Sequence, residues 1–185
     1  MSWPHVAVTL GDPRGIGPEV ALRALAALAE RSDAAFSVVT PDGTFTGSDM
    51  ELARTEYARR RRERDLEAGE ACAASIERAV EGALEGRYQA IVTGPIHKPS
   101  LHAAGYDVPG QTEMLGQLAG AGVVGMLMAA ERTRLGGPLR ILLATTHLAL
   151  RDVPRAVTER LLIEQTRLLD VALRRDWRIA EPRLA

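Results

Sequence analysis

Three short stretches place polar or charged side chains where apolar runs stop: TLGDPRGIGP (9–18), TGPIHKP (93–99) and TTHLALRD (145–152). His97 and Lys98 are two adjacent potential cations. They could neutralise a phosphate or carboxylate, Lys98 could donate a proton if burial lowered its pKa, or both could simply face solvent. In GQTE (110–113), Thr112 could cap a helix or bind a ligand. His147 could be a metal ligand, a general base or a hydrogen-bonded structural histidine. A catalytic zinc takes about three protein ligands. The four histidines, His5, His97, His102 and His147, contain no HxxxH or HExxH pair, so no self-contained metal site follows from local spacing. Gly11, Gly15 and Gly17 lack the GxGxxG spacing and no GK[ST] follows them, so neither nucleotide fingerprint applies. The backbone amides of that loop could still hold an anion, or its glycines could serve a tight turn alone.

The elements that must carry these loops follow from hydrophobic pattern. HVAVTL (5–10), FSVVT (36–40) and residues 89–93 read as short buried strands, and GMLMAA and LRILLATT as two more, joined by the charged turn ERTRLGGP that suits a hairpin or an excursion from the sheet. EVALRALAALAE forms a helix behind Pro18. PDGTFTGSD (41–49) reads as a loop, and the charged 50–66 segment, with RRRRER at 59–64, as a solvated helix face or a phosphate-gripping patch. Cys72, Ile76, Val80 and Leu84 mark the apolar stripe of a helix that Gly86 stops. Further helices are expected at 112–118 and, amphipathic on Leu161, Gln165, Leu168 and Ala172, at 158–173. Strand–loop–helix order indicates an α/β fold. In such sheets ligands bind outside the carboxyl ends of the strands, so the three polar loops are expected to face one crevice.

Composition narrows the function classes. The 185 residues are 46% hydrophobic and 25% charged, with a net charge of −1, which offers no electrostatic footprint for nucleic acid or an anionic membrane. Length suggests one domain. No apolar run approaches a membrane span, and the N-terminus lacks the features of a signal peptide, so a cytoplasmic protein is expected. Cys72 is the only cysteine; it excludes an internal disulfide and reads as a small buried helix residue. The expected partner is a small molecule.

Taken in order, TLGDPRGIGPEV, AIVTGPIHK, AAGYDVPGQTEM and LLATTHLALRDVP closely resemble the 4-hydroxythreonine-4-phosphate dehydrogenase family of pyridoxal-phosphate biosynthesis. The resemblance runs through residues 9–154 and more loosely to IAEPR. It covers the amino-terminal half or so of a family member, making 1–185 the amino-terminal portion of such a catalytic region. It implies an isocitrate-dehydrogenase-like α/β fold, a Rossmann-like layered sheet, here truncated, in a homodimer with its active site at the subunit interface. It implies NAD- or NADP-dependent oxidation of a phosphorylated hydroxy-amino acid followed by decarboxylation, with a divalent metal (Zn, Mg or Co) as Lewis acid. His147 matches the first of three metal-binding histidines and Thr112 a substrate-binding threonine. His97 and Lys98 match the family's loop, His97 as a substrate contact and Lys98 as the catalytic candidate.

This chain departs from the family pattern in three ways. Gln111 stands where the family usually has a substrate-binding histidine; it can donate a hydrogen bond but carries no charge and shuttles no proton. The connection between FSVVT and EAGEACAAS is shorter than usual. The segment bearing the other two metal histidines and later substrate contacts lies beyond Ala185. Three readings follow: a dehydrogenase represented by a fragment, an inactive remnant that binds a phosphorylated ligand or a partner subunit, or a dehydrogenase for another phosphorylated hydroxy acid or a diol. Missing later strands would leave apolar surface and open edges that favour aggregation or dimerisation.

Overall fold

The computed structural model describes residues 3–29, 33–134 and 136–185. Two compact units make up the chain, Met1–Ala119 and Gly120–Ala185.

The first unit is built on a four-stranded sheet. Its strands are β1 (His5–Thr9), β2 (Ala35–Val39), β3 (Thr44–Thr46) and β4 (Ala90–Thr93), in the order β3-β2-β1-β4. β1 lies parallel to both β2 and β4, with Thr9 opposite Val39 on one side and Thr93 on the other. β3 pairs antiparallel with β2, setting Val38 against Phe45, so a strand forms inside the segment expected to be a loop. Thr44 and Phe45 have strand propensity, and Thr40 ties the turn through its N–H to the Gly43 carbonyl at 2.9 Å.

Five helices pack on this sheet: α1 (Gly17–Leu28), α2 (Met50–Arg59), α3 (Asp65–Leu84), α4 (Lys98–Ala103) and α5 (Gln111–Leu118). Side chains alternate across the strands. Val8 and Val38 therefore join Leu25 and Tyr57 in one core, while Ala7 and Val39 meet Ala79 and Tyr88 in another. A third core gathers Cys72, Ile76 and Val80 of α3 with Leu101, Val108 and Met114. α3 starts where the Glu67 carboxylate accepts the Arg64 N–H at 2.8 Å, and it ends before Gly86, whose φ is +80°.

Leu84 corrects the expected stripe, being 65% exposed. Each i+4 step advances about 40° around a helix of 3.6 residues per turn, so three steps carry Leu84 about 120° from Cys72. The run 59–64 is mostly solvated, as expected, except that Arg60 bridges Asp42 and Glu63 at 2.8 and 2.7 Å.

The second unit holds the antiparallel pair β5 (Met126–Ala130) and β6 (Leu139–Leu143), with Met128 opposite Ile141, followed by the short α6 (Val153–Ala156) and by α7 (Glu159–Arg175). The charged turn is thus a hairpin turn. Thr158 caps α7 by accepting the Leu161 N–H at 3.2 Å. Leu161, Gln165, Leu168 and Ala172 are half-buried along one face, matching the expected stripe. Met128, Leu139 and Ile141 are exposed. No described helix is long and apolar enough to cross a membrane.

Candidate functional site

Parallel pairing of β1 with β4 brings the carboxyl ends of both strands together, and with them the loops 10–16 and 94–97. Three main-chain hydrogen bonds lock these loops: Gly94 N–H to Thr9 O at 2.7 Å, Asp12 N–H to Pro95 O at 2.9 Å and Gly15 N–H to Asp12 O at 3.0 Å. Gly11 permits the close approach with φ +78°. A Cβ there would overlap the Pro95 carbonyl oxygen. From the other side the Tyr57 hydroxyl donates to the Gly11 carbonyl at 3.0 Å. Two of the three chemistry-bearing loops therefore meet as expected.

At their junction stands Arg14. Its Nε and Nη2 grip Asp12 at 3.1 and 2.9 Å, and its own backbone N–H also donates to Asp12 Oδ1 at 2.8 Å. Nη1 donates to Asp65 Oδ1, at the start of α3, at 2.8 Å. Nη2 also donates to the Ser100 hydroxyl in α4. Ser100 Oγ lies 2.8 Å from His97 Nδ1 and 3.2 Å from Asp65 Oδ1. One guanidinium thus joins the β1 loop to the N-terminal turns of two helices. Gly69 lets α4 pack this closely on α3, since a Cβ there would overlap the Ser100 carbonyl.

The electrostatics follow from burial and pairing. Burial alone would raise the pKa of Asp12, but hydrogen bonds from the Arg14 side chain and backbone outweigh it and hold the carboxyl below its ordinary value. Asp65 is also lowered, the Arg14 hydrogen bond being the largest cause. The same two carboxylates push the Arg14 guanidinium upward. Arg14 faces two carboxylates, so its charge is already compensated.

A cleft of about 510 Å³ opens here, lined by Asp12, Arg14, Ile16, Pro95, Ile96 and His97. His97 is half-exposed on its wall, with its ring anchored at Nδ1. Lys98 is exposed at the first position of α4, an element the sequence pattern left unmarked. Gln111 and Thr112 open α5, both half-buried. The Gln111 side-chain amide donates to the Gly94 carbonyl at 3.0 Å, which ties the start of α5 to the loop after β4. His97, Lys98 and Gln111 are thus carried by one connected set of loops. Asp12, Arg14, Asp65 and Ser100 were not singled out from sequence. DPR beside a strand end was the only local signal, and it does not name the distant partners.

The third loop has a different origin. Among the described residues β6 pairs with β5 alone, in a sheet separate from β3-β2-β1-β4, so the shared-sheet argument holds for two loops and not for three. The antiparallel pairing of β5 with β6 is local in sequence and leaves one edge of each strand outside the pair. His147 is exposed and adopts φ +58°, one of two non-glycine residues with positive φ among those described. No group of three His, Cys, Asp or Glu side chains among the described residues could hold a metal ion. The donors described do not by themselves fit a metal centre, and His147 can be only one contributor to such a site.

The chain was compared with known proteins. The family model of the pyridoxal phosphate biosynthetic protein PdxA matches residues 8–185. A 4-hydroxythreonine-4-phosphate dehydrogenase of Synechococcus sp. (strain JA-3-3Ab) is 38% identical over 207 residues, covering 98% of this chain and 58% of the relative. The same-named protein of Burkholderia vietnamiensis is 35% identical, covering 97% of this chain and 59% of its own length. Among solved structures, the 4-hydroxythreonine-4-phosphate dehydrogenase of Klebsiella pneumoniae superposes with a TM-score of 0.68 at 28% identity, over 99% of this chain and 61% of that one. That of Burkholderia phymatum gives 0.68 at 27%, over 92% and 58%. The chain spans about 58% of the length of the first of these relatives, and it shares with the solved structures a mixed α/β fold with a parallel sheet. A match that covers residues 8–185 shows that the chain belongs to the pyridoxal phosphate biosynthetic protein PdxA family.

Proposed function

We propose that this chain is part of an oxidoreductase that dehydrogenates 4-hydroxythreonine-4-phosphate in pyridoxal phosphate biosynthesis. The observation that carries this reading is the extent of the family match, residues 8–185, rather than any single motif. The assembly of the 97–98 pair and Gln111 around the β1 and β4 loops supports it. His97, Gln111 and Thr112 bind the phosphorylated substrate, His97 and Lys98 supplying the donors for its anionic group. Lys98, exposed at the first position of α4, moves a proton to or from the reacting substrate. His147 contributes one imidazole to a divalent metal (zinc, magnesium or cobalt). The remaining ligands belong to the length of the family that this chain does not span. A bound nicotinamide, NAD or NADP, would supply the hydride acceptor, and a metal held in part by His147 would supply Lewis acidity at the substrate oxygen. The protein works as a homodimer in the cytoplasm.

The test is to incubate the purified chain with 4-phosphohydroxy-L-threonine, NAD or NADP and each metal, and to follow reduced nicotinamide. Binding of the phosphorylated substrate without turnover is the expected result for a chain that holds one metal ligand. Absence of substrate binding, with a folded circular dichroism spectrum, sinks the reading, and metal-dependent reduction by this chain alone refutes the assignment of the remaining ligands to residues it does not span.

Gln111 favours a second reading, in which the substrate is another phosphorylated hydroxy acid or a diol. One of its amide hydrogens is already committed to the Gly94 carbonyl, and the side chain brings no charge to the position. A hydroxyl suits such a partner better than an anion does. Parallel assays with a phosphorylated diol separate the two.

A further inference from the structure

We propose that Arg14 and Ser100 are positioning residues that lock the His97 imidazole in the tautomer with its proton on Nε2, so that His97 meets an anionic group as a hydrogen-bond donor. The lock rests on geometry; its use rests on the reading of the cleft as a phosphosubstrate site.

All described hydrogen bonds of the ring are made at Nδ1, with Ser100 Oγ at 2.8 Å and Arg14 Nη2 at 3.5 Å. Arginine has donors only and stays charged in proteins, so nothing in the guanidinium can accept a proton from Nδ1. Arg14 Nη2 already donates to Ser100 Oγ. That leaves the hydroxyl with one hydrogen to place, and three acceptors lie in range: His97 Nδ1 at 2.8 Å, Asp65 Oδ1 at 3.2 Å and Asp12 Oδ2 at 3.5 Å. Both carboxylates are already served by Arg14, Asp12 through three N–H groups and Asp65 through one. Nδ1 is the nearest of these acceptors, and the Arg14 guanidinium beside it disfavours a second N–H there. The lock places the Ser100 hydrogen on Nδ1, which then presents a lone pair, and the neutral ring carries its proton on Nε2.

The opposite tautomer would turn a Nδ1–H toward the Arg14 cation and a bare lone pair toward the ligand. A lone pair repels phosphate oxygens, whereas Nε2–H donates to them. The hub thereby converts an ambiguous side chain into a fixed donor on the wall of the cleft. This also gives Arg14 a role even though its charge is compensated by Asp12 and Asp65.

The experiment is a long-range ¹H–¹⁵N correlation spectrum of the 185-residue protein at about pH 8.5, where an ordinary imidazole is neutral. His97 is assigned by its loss in His97→Gln. The expected result is a His97 pattern at the Nε2–H limit, moving toward a mixture of tautomers in Ser100→Ala and Arg14→Met, with His5, His102 and His147 unmoved. A proton on Nδ1 in the wild-type protein overturns the lock and needs no variant. A pattern unchanged in both variants overturns the roles of Arg14 and Ser100. Adding inorganic phosphate tests the function separately. A shifted His97 Nε2–H signal supports both ideas, while a locked ring that ignores phosphate upholds the lock and removes the phosphosubstrate reading.

Discussion

Gly11 and Pro95 are packed so closely that a methyl group on Gly11 would overlap the Pro95 carbonyl oxygen, the oxygen that accepts the Asp12 N–H. Gly11 also needs its positive φ of +78°. Gly11→Ala therefore combines a left-handed backbone penalty with displacement of the neighbouring loop, and is expected to cost about 2–4 kcal/mol. Urea unfolding of the variant measures this. A loss below about 0.5 kcal/mol would show that the two loops do not hold each other.

Arg14→Met leaves the Asp12 carboxylate buried without its guanidinium, and is expected to destabilise the protein by about 2–4 kcal/mol at neutral pH. The sign with pH follows from the depressed folded pKa of Asp12. In the wild-type protein this carboxylate contributes stability that is present above its unfolded pKa of about 3.9 and is lost as pH falls through the lower folded value. In the variant the backbone N–H is the only donor of residue 14 left to Asp12, burial is opposed by less, and that pKa rises. The gap between the two proteins should therefore narrow as pH drops below about 4. Unfolding midpoints across that range report it, and a gap independent of pH contradicts the assignment.

His147 holds φ +58° without being glycine. Both His147→Gly and His147→Val remove the imidazole and its interactions, so their difference isolates the backbone. The glycine variant should be more stable than the valine variant by about 1–2 kcal/mol, because a β-branched side chain is poorly tolerated in the left-handed region. Equal stabilities would refute the conformation. Calorimetric titration with zinc or cobalt on the same variants asks whether the imidazole binds metal.

Cys72 is 3% exposed, and burial pushes its thiol up to about 12. Native protein should resist iodoacetamide near neutral pH and be alkylated once in urea. Mass spectrometry after timed quenching decides this, and rapid labelling of folded protein would show that the α3 core opens readily.

Regular elements were readable where a hydrophobic period ran long enough. The 3.6-residue stripes of α3 and α7 and the apolar runs of β1, β2 and β4 predicted themselves. β3 was hidden because three residues, TFT, carry too little pattern. α4 was hidden because Lys98-Pro99 looks like loop chemistry, although proline suits the first turn of a helix. The site was only half visible. Glycines, prolines and the 97–98 pair flagged the loops, but Asp12, Arg14, Asp65 and Ser100 meet through folding alone and have no local spacing to betray them. The shared-sheet argument did not extend to His147, because strand content does not reveal which sheet a strand joins.

The Arg14 hub also bears on the order of folding events. Its ties to Asp65 and Ser100 close loops of 51 and 86 residues. The β1–β4 pairing, with Val6 opposite Ala90, already closes a loop of similar length, so the Arg14 ties are expected to follow that pairing and not to direct it. Interactions that form after the transition state govern how fast the native state is left, not how fast it is reached. Arg14→Met should accordingly speed unfolding in stopped-flow experiments and leave the refolding limb where it was. The hub then acts as a kinetic latch: it adds to the lifetime of the assembled cleft without helping to build it.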